Sequence, residues 1–259
     1  MPFTLAHPAA VLPLRRLRYL RIAPLLIGAL VPDLPYYVPG TVGRLLGSTH
    51  TFEGSITVDP LLGFAALVAV YVLRVPLTAL LPTRARWLCL QALAPFRGHP
   101  REWLIAPLAI LIGVWTHVFW DSFTHLDGWM VRRMAALSAP VTIGPYNGAV
   151  CHVLQYLSSV FGLIVLAIWY LRLPAPPPVS DRAGRARSSS APALALAASA
   201  AIVIGGVQAT EHFVRGVGVY RTIEVLLTHG LAWFGLLYLI AGVTVTLQSV
   251  HERESGLGA

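Results

Sequence analysis

The sequence predicts an all-α, polytopic helical membrane protein: about five transmembrane helices plus a short N-terminal half-helix. Three observations carry this. The 259 residues are 56% hydrophobic and only 12% charged, against roughly 25% charged in ordinary soluble domains. The mean hydropathy is +0.68. Apolar stretches near the roughly 17 to 25 residues needed to cross a bilayer recur at 55–73, 104–120, 149–171, 191–210 and 223–247.

Taken in order, the first apolar segment, 22–31 (IAPLLIGALV), is too short to cross alone. It stops at Val31-Pro32-Asp33, because a proline disfavours helix in the residue before it. It reads as a half-helix or an interfacial helix. The stretch 55–73 ends at Arg74, whose aliphatic stem can reach toward the interface. Residues 174–191 (PAPPPVSDRAGRARSSSA) lack hydrophobic periodicity and read as a disordered linker. The linker divides a motif-bearing membrane domain, 1–173, from a plainer transmembrane helix pair and tail, 192–259. No internal repeat is evident. The start, MPFTLAHP, has no basic region and no small-residue cleavage site, so no signal peptide is expected.

All 19 basic residues are arginine, and Ala, Gly and Pro abound, which we read as G+C-rich coding and a bacterial origin. The net charge of +8 is spread over loops, a pattern of membrane topology and anionic-lipid contact and not of nucleic-acid binding. Arg84, Arg86, Arg97 and Arg101 in 83–103, and Arg182, Arg185 and Arg187 in the linker, place both segments in the cytoplasm. Alternation puts 127–148 outside, although Arg132 and Arg133 weaken the bias. The N-terminal cluster Arg15, Arg16, Arg18 and Arg21 argues for the inside, whereas an uncrossed segment 22–31 would put His7 on the side of His50, so that side stays open. The expected location is the bacterial inner membrane. Cys89 and Cys151 offer neither a disulfide framework nor a thiolate zinc site and read as packing residues.

Candidate chemistry centres on His117, Asp121 and His125 in GVWTHVFWDSFTHLDGW. Ionisable side chains inside a spanning helix cost roughly 2.5 to 3.5 kcal/mol each on insertion scales, so they mark function by default. Their i, i+4, i+8 spacing puts them on one face, with the outer two about 12 Å apart along the axis. That span suits two ions with Asp121 as a bridging carboxylate. A polar seam that satisfies itself against neighbouring helices is the structural alternative.

Asp33, held between Pro32 and Pro35 in a stiff backbone, is a second candidate ligand or a plain turn. The stretch Ser48-Thr49-His50-Thr51-Phe52-Glu53-Gly54 reads as a loop offering an imidazole and a carboxylate. His7 near the N-terminus carries little weight alone. Asp59 before Pro60 reads as a helix N-cap, Asp127-Gly128 as the turn closing the His-Asp-His helix, and His152 and Gln155 as outer donors or packing residues. Glu211, His212, Glu224, His229, His99 and His251 show no shared spacing and read as structural. The set His7, Asp33, His50, His117, Asp121 and His125 is of N/O type without thiolates. It suits zinc, with manganese or iron as alternatives, and leaves room for a water nucleophile. Asp121 and Glu53 are the candidate catalytic carboxylates. No phosphate loop, Ser-His-Asp set or HExxH motif is present.

At these residues the chain resembles a bacterial multi-pass membrane family of unknown function. The shared motifs read here as MPFTLAHP (1–8), GALVPD (28–33), HTFEG (50–54) and HVFWDSFTH (117–125), within roughly the first 160 residues. More distantly, the order His, Pro-Asp, His, His-x-x-x-Asp is similar to the LexA-regulated inner-membrane proteins assigned as metal-dependent hydrolases, themselves similar to the zinc-dependent phospholipase C and P1 nuclease superfamily. That resemblance implies a helical, multi-metal phosphoester hydrolase site ligated by His7, Asp33, His50, His117, Asp121 and His125. The soluble superfamily also uses its free N-terminal residue and more histidines than find a match here.

The leading expectation is therefore a membrane-bound metal-dependent hydrolase whose substrate is a phosphoester or phospholipid, with its site near the extracytoplasmic face. Two other classes stay open. One is a non-catalytic integral membrane protein with a polar or metal-stabilised core. The other is a transporter or ion pathway, which would favour ionisable residues spread across the whole membrane depth. Substrate, metal identity and oligomeric state are not encoded in any pattern above.

Overall fold

The computed structural model describes residues 4–17, 19–38, 48–144, 146–177, 190–215 and 219–256. The chain opens with a 3-10 helix, Thr4–Arg16, that carries Pro8 and Pro13. Runs of this kind rarely exceed a few residues. Here proline removes N–H donors, and burial of Ala6, His7, Pro8, Ala9, Val11 and Leu12 holds the segment in place. The half-helix α1 is Ile22–Gly28, followed by a second 3-10 turn, Val31–Tyr37, with Pro32 at its start.

Then come α2 (Phe52–Ile56), α3 (Val58–Val72), α4 (Arg74–Ala79) and α5 (Thr83–Leu93). The long α6 is Pro100–Thr124. A short α7 (Ala135–Ser138) leads into β1 (Pro140–Ile143) and β2 (Tyr146–Ala149). The chain closes with α8 (Val150–Arg172), α9 (Ser190–Val214) and α10 (Val219–Gly256).

The protein is an all-α membrane protein. Among the described residues, four helices are long and apolar enough to cross a bilayer: α6, α8, Pro192–Glu211 of α9 and Val225–Glu252 of α10. Their outward faces carry Leu104, Phe119, Phe161, Leu171, Ile202 and Leu247 in the open, as lipid-facing surfaces do. Three expectations need correction. The stretch 55–73 is not a full span: α3 has 15 residues, about 22 Å of helix against a hydrocarbon core of about 30 Å. The basic segment 83–103 is largely helical, α5 and the 3-10 turn Ala94–Arg97, and not a loop. The antiparallel hairpin β1–β2, turned at Gly144 with φ of 55°, was not anticipated. The central linker expected at 174–191 lies mostly outside the described residues.

The packing brings the N-terminal segments against α6. A Cβ on Gly28 would overlap the backbone of Ile110, and one on Gly113 would overlap the backbone of Leu25 and Ala29. Small residues that let backbones touch are a characteristic device of membrane helix pairs, where no hydrophobic drive separates lipid from leucine. The 3-10 helix Thr4–Arg16 lies between α6 and α8, and Gly162 of α8 receives the backbone of Ala6. The core of this unit is Leu67, Ile110, Val114, Phe96 and Ala106 on one side and Val11, Leu25, Ala29 and Ala109 on the other. Arg21 makes a bidentate pair with Glu102, at 2.7 and 2.6 Å, tying the start of α1 to the first turn of α6. Arg84 donates to the carbonyls of Tyr170, Leu171 and Leu173, closing the C-terminus of α8. The pair α9–α10 is joined to the rest through α4, where Tyr238 donates to Leu77 O at 2.8 Å and Gly242 abuts Pro76, and through the Val31–Tyr37 turn. Cys151 is buried as a packing residue should be, whereas Cys89 is exposed.

The Gly28–Gly113 crossing yields a prediction. Gly28→Val or Gly113→Val should lower the unfolding temperature in detergent, equivalent to about 1 to 3 kcal/mol of overpacking or more. Gly235→Ala, where an added Cβ meets nothing within 4 Å, should be neutral or stabilising. Equal unfolding temperatures for all three variants would mean that the close crossing does not hold the bundle.

Candidate metal centre

The C-terminal end of α6 supplies the first two groups. His117 and Asp121 sit one turn apart on the same face, at 0% and 6% exposure. The proline-bounded 3-10 turn Val31–Tyr37 delivers Asp33, also at 0%. The turn before α2 delivers His50. Thus Asp33, His50, His117 and Asp121, from three segments of the chain, present ligand atoms that all lie within 4.8 Å of one another.

Their spacing is informative. His50 Nε2 lies 3.1 Å from Asp33 Oδ1 and 3.5 Å from Asp121 Oδ2. His117 Nε2 lies 3.6 Å from Asp33 Oδ1 and 3.2 Å from Asp121 Oδ2. A tetrahedral ion with bonds of about 2.0 to 2.2 Å separates its ligand atoms by roughly 3.3 to 3.6 Å. Four of the six distances among the ligand atoms, 3.1 to 3.6 Å, lie near that figure and all six are within 4.8 Å, so the donor set is compatible with a small divalent cation.

The hydrogen bonds behind these atoms aim them. His117 Nδ1 meets the carbonyl of Ala29 at 2.8 Å. A carbonyl can only accept, so Nδ1 carries the proton and Nε2 presents its lone pair to the cluster. The Thr49 hydroxyl gives its proton to Pro32 O at 2.8 Å. It can therefore only accept at His50 Nδ1, 3.3 Å away, which again leaves Nε2 facing inward. Asp33 Oδ2 accepts from Thr4 at 2.6 Å, and Tyr37 donates in turn to Thr4 at 2.6 Å. Outer partners that fix tautomer and orientation in this way accompany metal-ligating histidines and carboxylates. His117 Nε2 and Asp121 Oδ2 are buried without an aligned hydrogen bond. Two imidazole lone pairs and two carboxylate oxygens converging in a desolvated space require a shared positive charge, either a proton or a metal ion.

Asp121 turns its other oxygen toward a different pair. Oδ1 lies 3.5 Å from His7 Nε2 and 3.6 Å from His125 Nδ1. His7 is stacked on His117 with ring centres 3.8 Å apart, and burial, then the neighbouring His117, lowers its pKa to about 4. It is neutral at pH 7, the form that ligates. His125 is not inside the helix, as its motif suggested, but at the C-cap in extended conformation. Its Nδ1 is 3.2 Å from the Asp121 carbonyl and its Nε2 is 3.4 Å from Gln155 Nε2. His125 therefore borders the cluster with both nitrogens engaged.

Two other expectations fail. Glu53 is exposed on α2 and is not one of the four grouped residues; Phe52–Ile56 is helix and not the loop expected, capped by Thr51, which accepts from Gly54 N at 2.9 Å. Asp59 does not cap α3. The N-cap is Thr57, and the Asp59 carboxylate is buried with neither oxygen hydrogen-bonded. Sequence reasoning missed Thr4, Thr49 and Tyr37. The first two stand in or beside the motifs MPFT and HTFEG, the one signal available for them.

Burial opposes a charge on His50, but its contacts with Asp121 and Asp33 outweigh that and raise its pKa to about 9. In the metal-free protein this group stabilises the fold fully below the unfolded value of 6.5, and the contribution is lost as pH rises through about 9. Chelator-treated protein should therefore melt at progressively lower temperature across that window, and His50→Gln should flatten the trend. An identical pH profile for the variant would show that His50 is not the proton carrier.

No curated protein and no solved structure matches the chain. One family does match, over residues 1–247, described as Domain of unknown function (DUF4184). The match runs beyond the motifs, through the central linker and most of α10, so the helix pair is part of what the family shares. With nearly its whole length matched, the chain belongs to the DUF4184 family.

Proposed function

We propose that the protein is a membrane-bound, metal-dependent hydrolase of phosphoester bonds, with a phospholipid headgroup as the substrate class. The carrying observation is the set of four edges between 3.1 and 3.6 Å among Asp33, His50, His117 and Asp121. The N/O donor set suits zinc first. A cation there supplies Lewis-acid polarisation and a lowered pKa for water.

The chain's own residues supply the rest. Asp33 and Asp121 balance the charge of the ion, while Thr4, Thr49 and the Ala29 carbonyl hold the donors in register. Asp121, facing one histidine pair with each oxygen, is placed to bridge a second ion on the His7 side. His50, whose side chain is 29% exposed against 0% for His117, marks the open side through which substrate enters. Beyond His125, the exposed Arg132 and Arg133 offer charge to an anionic headgroup, with Arg133 4.0 Å over the Trp129 ring, an aromatic–arginine pairing suited to the interface. The arginine-rich ends of α1, α5 and α6 lie at the opposite end of α6. We therefore place the site near the extracytoplasmic face of a bacterial inner membrane. A non-catalytic polar core is the second reading, favoured by the ability of a protonated His50 to satisfy both carboxylates without metal.

Two experiments decide. Protein purified in detergent should hold about one or two divalent ions per chain and cleave bis-p-nitrophenyl phosphate or phosphatidylglycerol. Asp121→Asn should lose metal, and activity should fall by at least about a hundredfold. Wild-type metal content in that variant removes Asp121 from the site and the hydrolase reading with it. For orientation, reporter fusions within 83–103 and 174–191 should both report the cytoplasm, and an external signal from either would place the site on the other face.

A further inference from the structure

Among the described residues, Asp59 is the one buried acid that the proposed site does not use. It is 0% exposed, and neither carboxylate oxygen has a hydrogen-bond partner. An isolated ionised carboxylate in such a place is costly unless a cation compensates it. As a helix cap it has no role, because α3 begins one residue earlier and its side chain bonds no backbone amide.

Its position is fixed by the packing of α3 on α6. The two helices run antiparallel, since Tyr71 packs edge-on against Trp103 with ring centres 5.2 Å apart, while Gly63 abuts Ile110 and Val31. Counting back one turn from Gly63 on the same face reaches Asp59, and counting forward from Ile110 reaches Val114 and then His117. Val31 is two residues before Asp33. Asp59 thus falls level with the junction of the Asp33 turn and α6, and His50 and His117 are within electrostatic range of it. It is not among the four residues whose ligand atoms lie within 4.8 Å of one another, so it stands behind them.

We propose that Asp59 is an outer carboxylate of the metal centre: a positioning residue that does not ligate but whose negative charge raises the affinity for divalent cations. The proposal rests on the metal reading above. Charge balance supports it. Asp33 and Asp121 neutralise one divalent ion, and a second ion on the Asp121 bridge would leave two positive charges uncompensated in a desolvated site. Asp59 removes one of them without occupying a coordination position. In the metal-free protein the same carboxyl has no hydrogen-bond partner, and burial disfavours its ionised form until a cation arrives.

The test is a competition titration of zinc, and separately of manganese, on chelator-stripped wild type, Asp59→Asn and Asp59→Leu in detergent, with unfolding temperatures before and after metal. Both variants should bind roughly 10- to 100-fold more weakly, the usual effect of outer-partner changes. Their metal-free forms should be at least as stable as wild type, so the rise in unfolding temperature on adding metal should shrink. Unchanged affinity in both variants, with metal bound to wild type, overturns the role of Asp59 and leaves the centre standing. Loss of the metal-free fold in both variants also overturns it, because Asp59 would then be structural. A wild type that binds no divalent cation fails the metal reading itself, and the inference falls with it.

Discussion

The rest of the structure depends on a cluster of lone pairs that cannot be left alone. Two imidazole nitrogens and two carboxylate oxygens from Asp33, His50, His117 and Asp121 converge in a space where three of the four residues are at most 6% exposed. In water such groups would be solvated separately. Here three of the four are aimed by a partner behind them: His117 by the Ala29 carbonyl, His50 by Thr49, Asp33 by Thr4. The cost of assembling like-signed electron density without water is recovered only when positive charge occupies the centre. A site built in this way is poised for a cation in its empty form, and occupation adds to the stability of the fold through mass action.

This requirement accounts for the irregular backbone at the N-terminus. Non-helical segments at membrane depth are tolerated only where protein covers them. Thr4–Arg16 meets that condition by lying against α6 and α8, and Val31–Tyr37 by lying against α3, α6 and α10. Their prolines remove amide donors that would otherwise need partners, and stiffen the backbone at Asp33. Four residues from three chain segments can reach one point only if those segments approach closely. The contacts of Gly28 and Gly113 with opposing backbone make that approach possible. The geometry of the cluster therefore depends on glycines well removed from it.

Much of this was legible in the residues, for physical reasons that vary from group to group. Composition reported the membrane class, because a bilayer demands long apolar runs. His117 and Asp121 announced themselves because an ionisable pair at i, i+4 in an apolar helix has no cheap explanation. Asp33 was visible through its flanking prolines. The failures share a cause as well. Asp59 beside Pro60 has the local signature of a cap, and only the tertiary packing of α3 on α6 shows the side chain turned inward. Glu53 lies three residues from His50, but the helix that begins at Phe52 carries its side chain outward. Thr4 and Thr49 act through single hydrogen bonds to chain-distant partners, which no periodicity records. The β1–β2 hairpin is only four residues a side, too brief for an alternating pattern to stand out against apolar surroundings.

The placement of polar groups along α6 also bears on what kind of site this is. An ion pathway needs polar groups or water along the whole depth of the membrane. On the buried face of α6, the residues preceding His117 are Ala106, Ala109, Ile110, Gly113 and Val114. They pack against Leu67, Phe96 and Ala23 on one side and Val11, Leu25 and Ala29 on the other. Below the level of Asp59 these packed residues are apolar, and the glycine crossing brings the backbones into contact. The cluster therefore has an apolar floor toward the arginine-rich end and its opening at the side of His50. A cation held above such a floor is reached from the His50 side, and the apolar packing below it favours a fixed centre over a conduit.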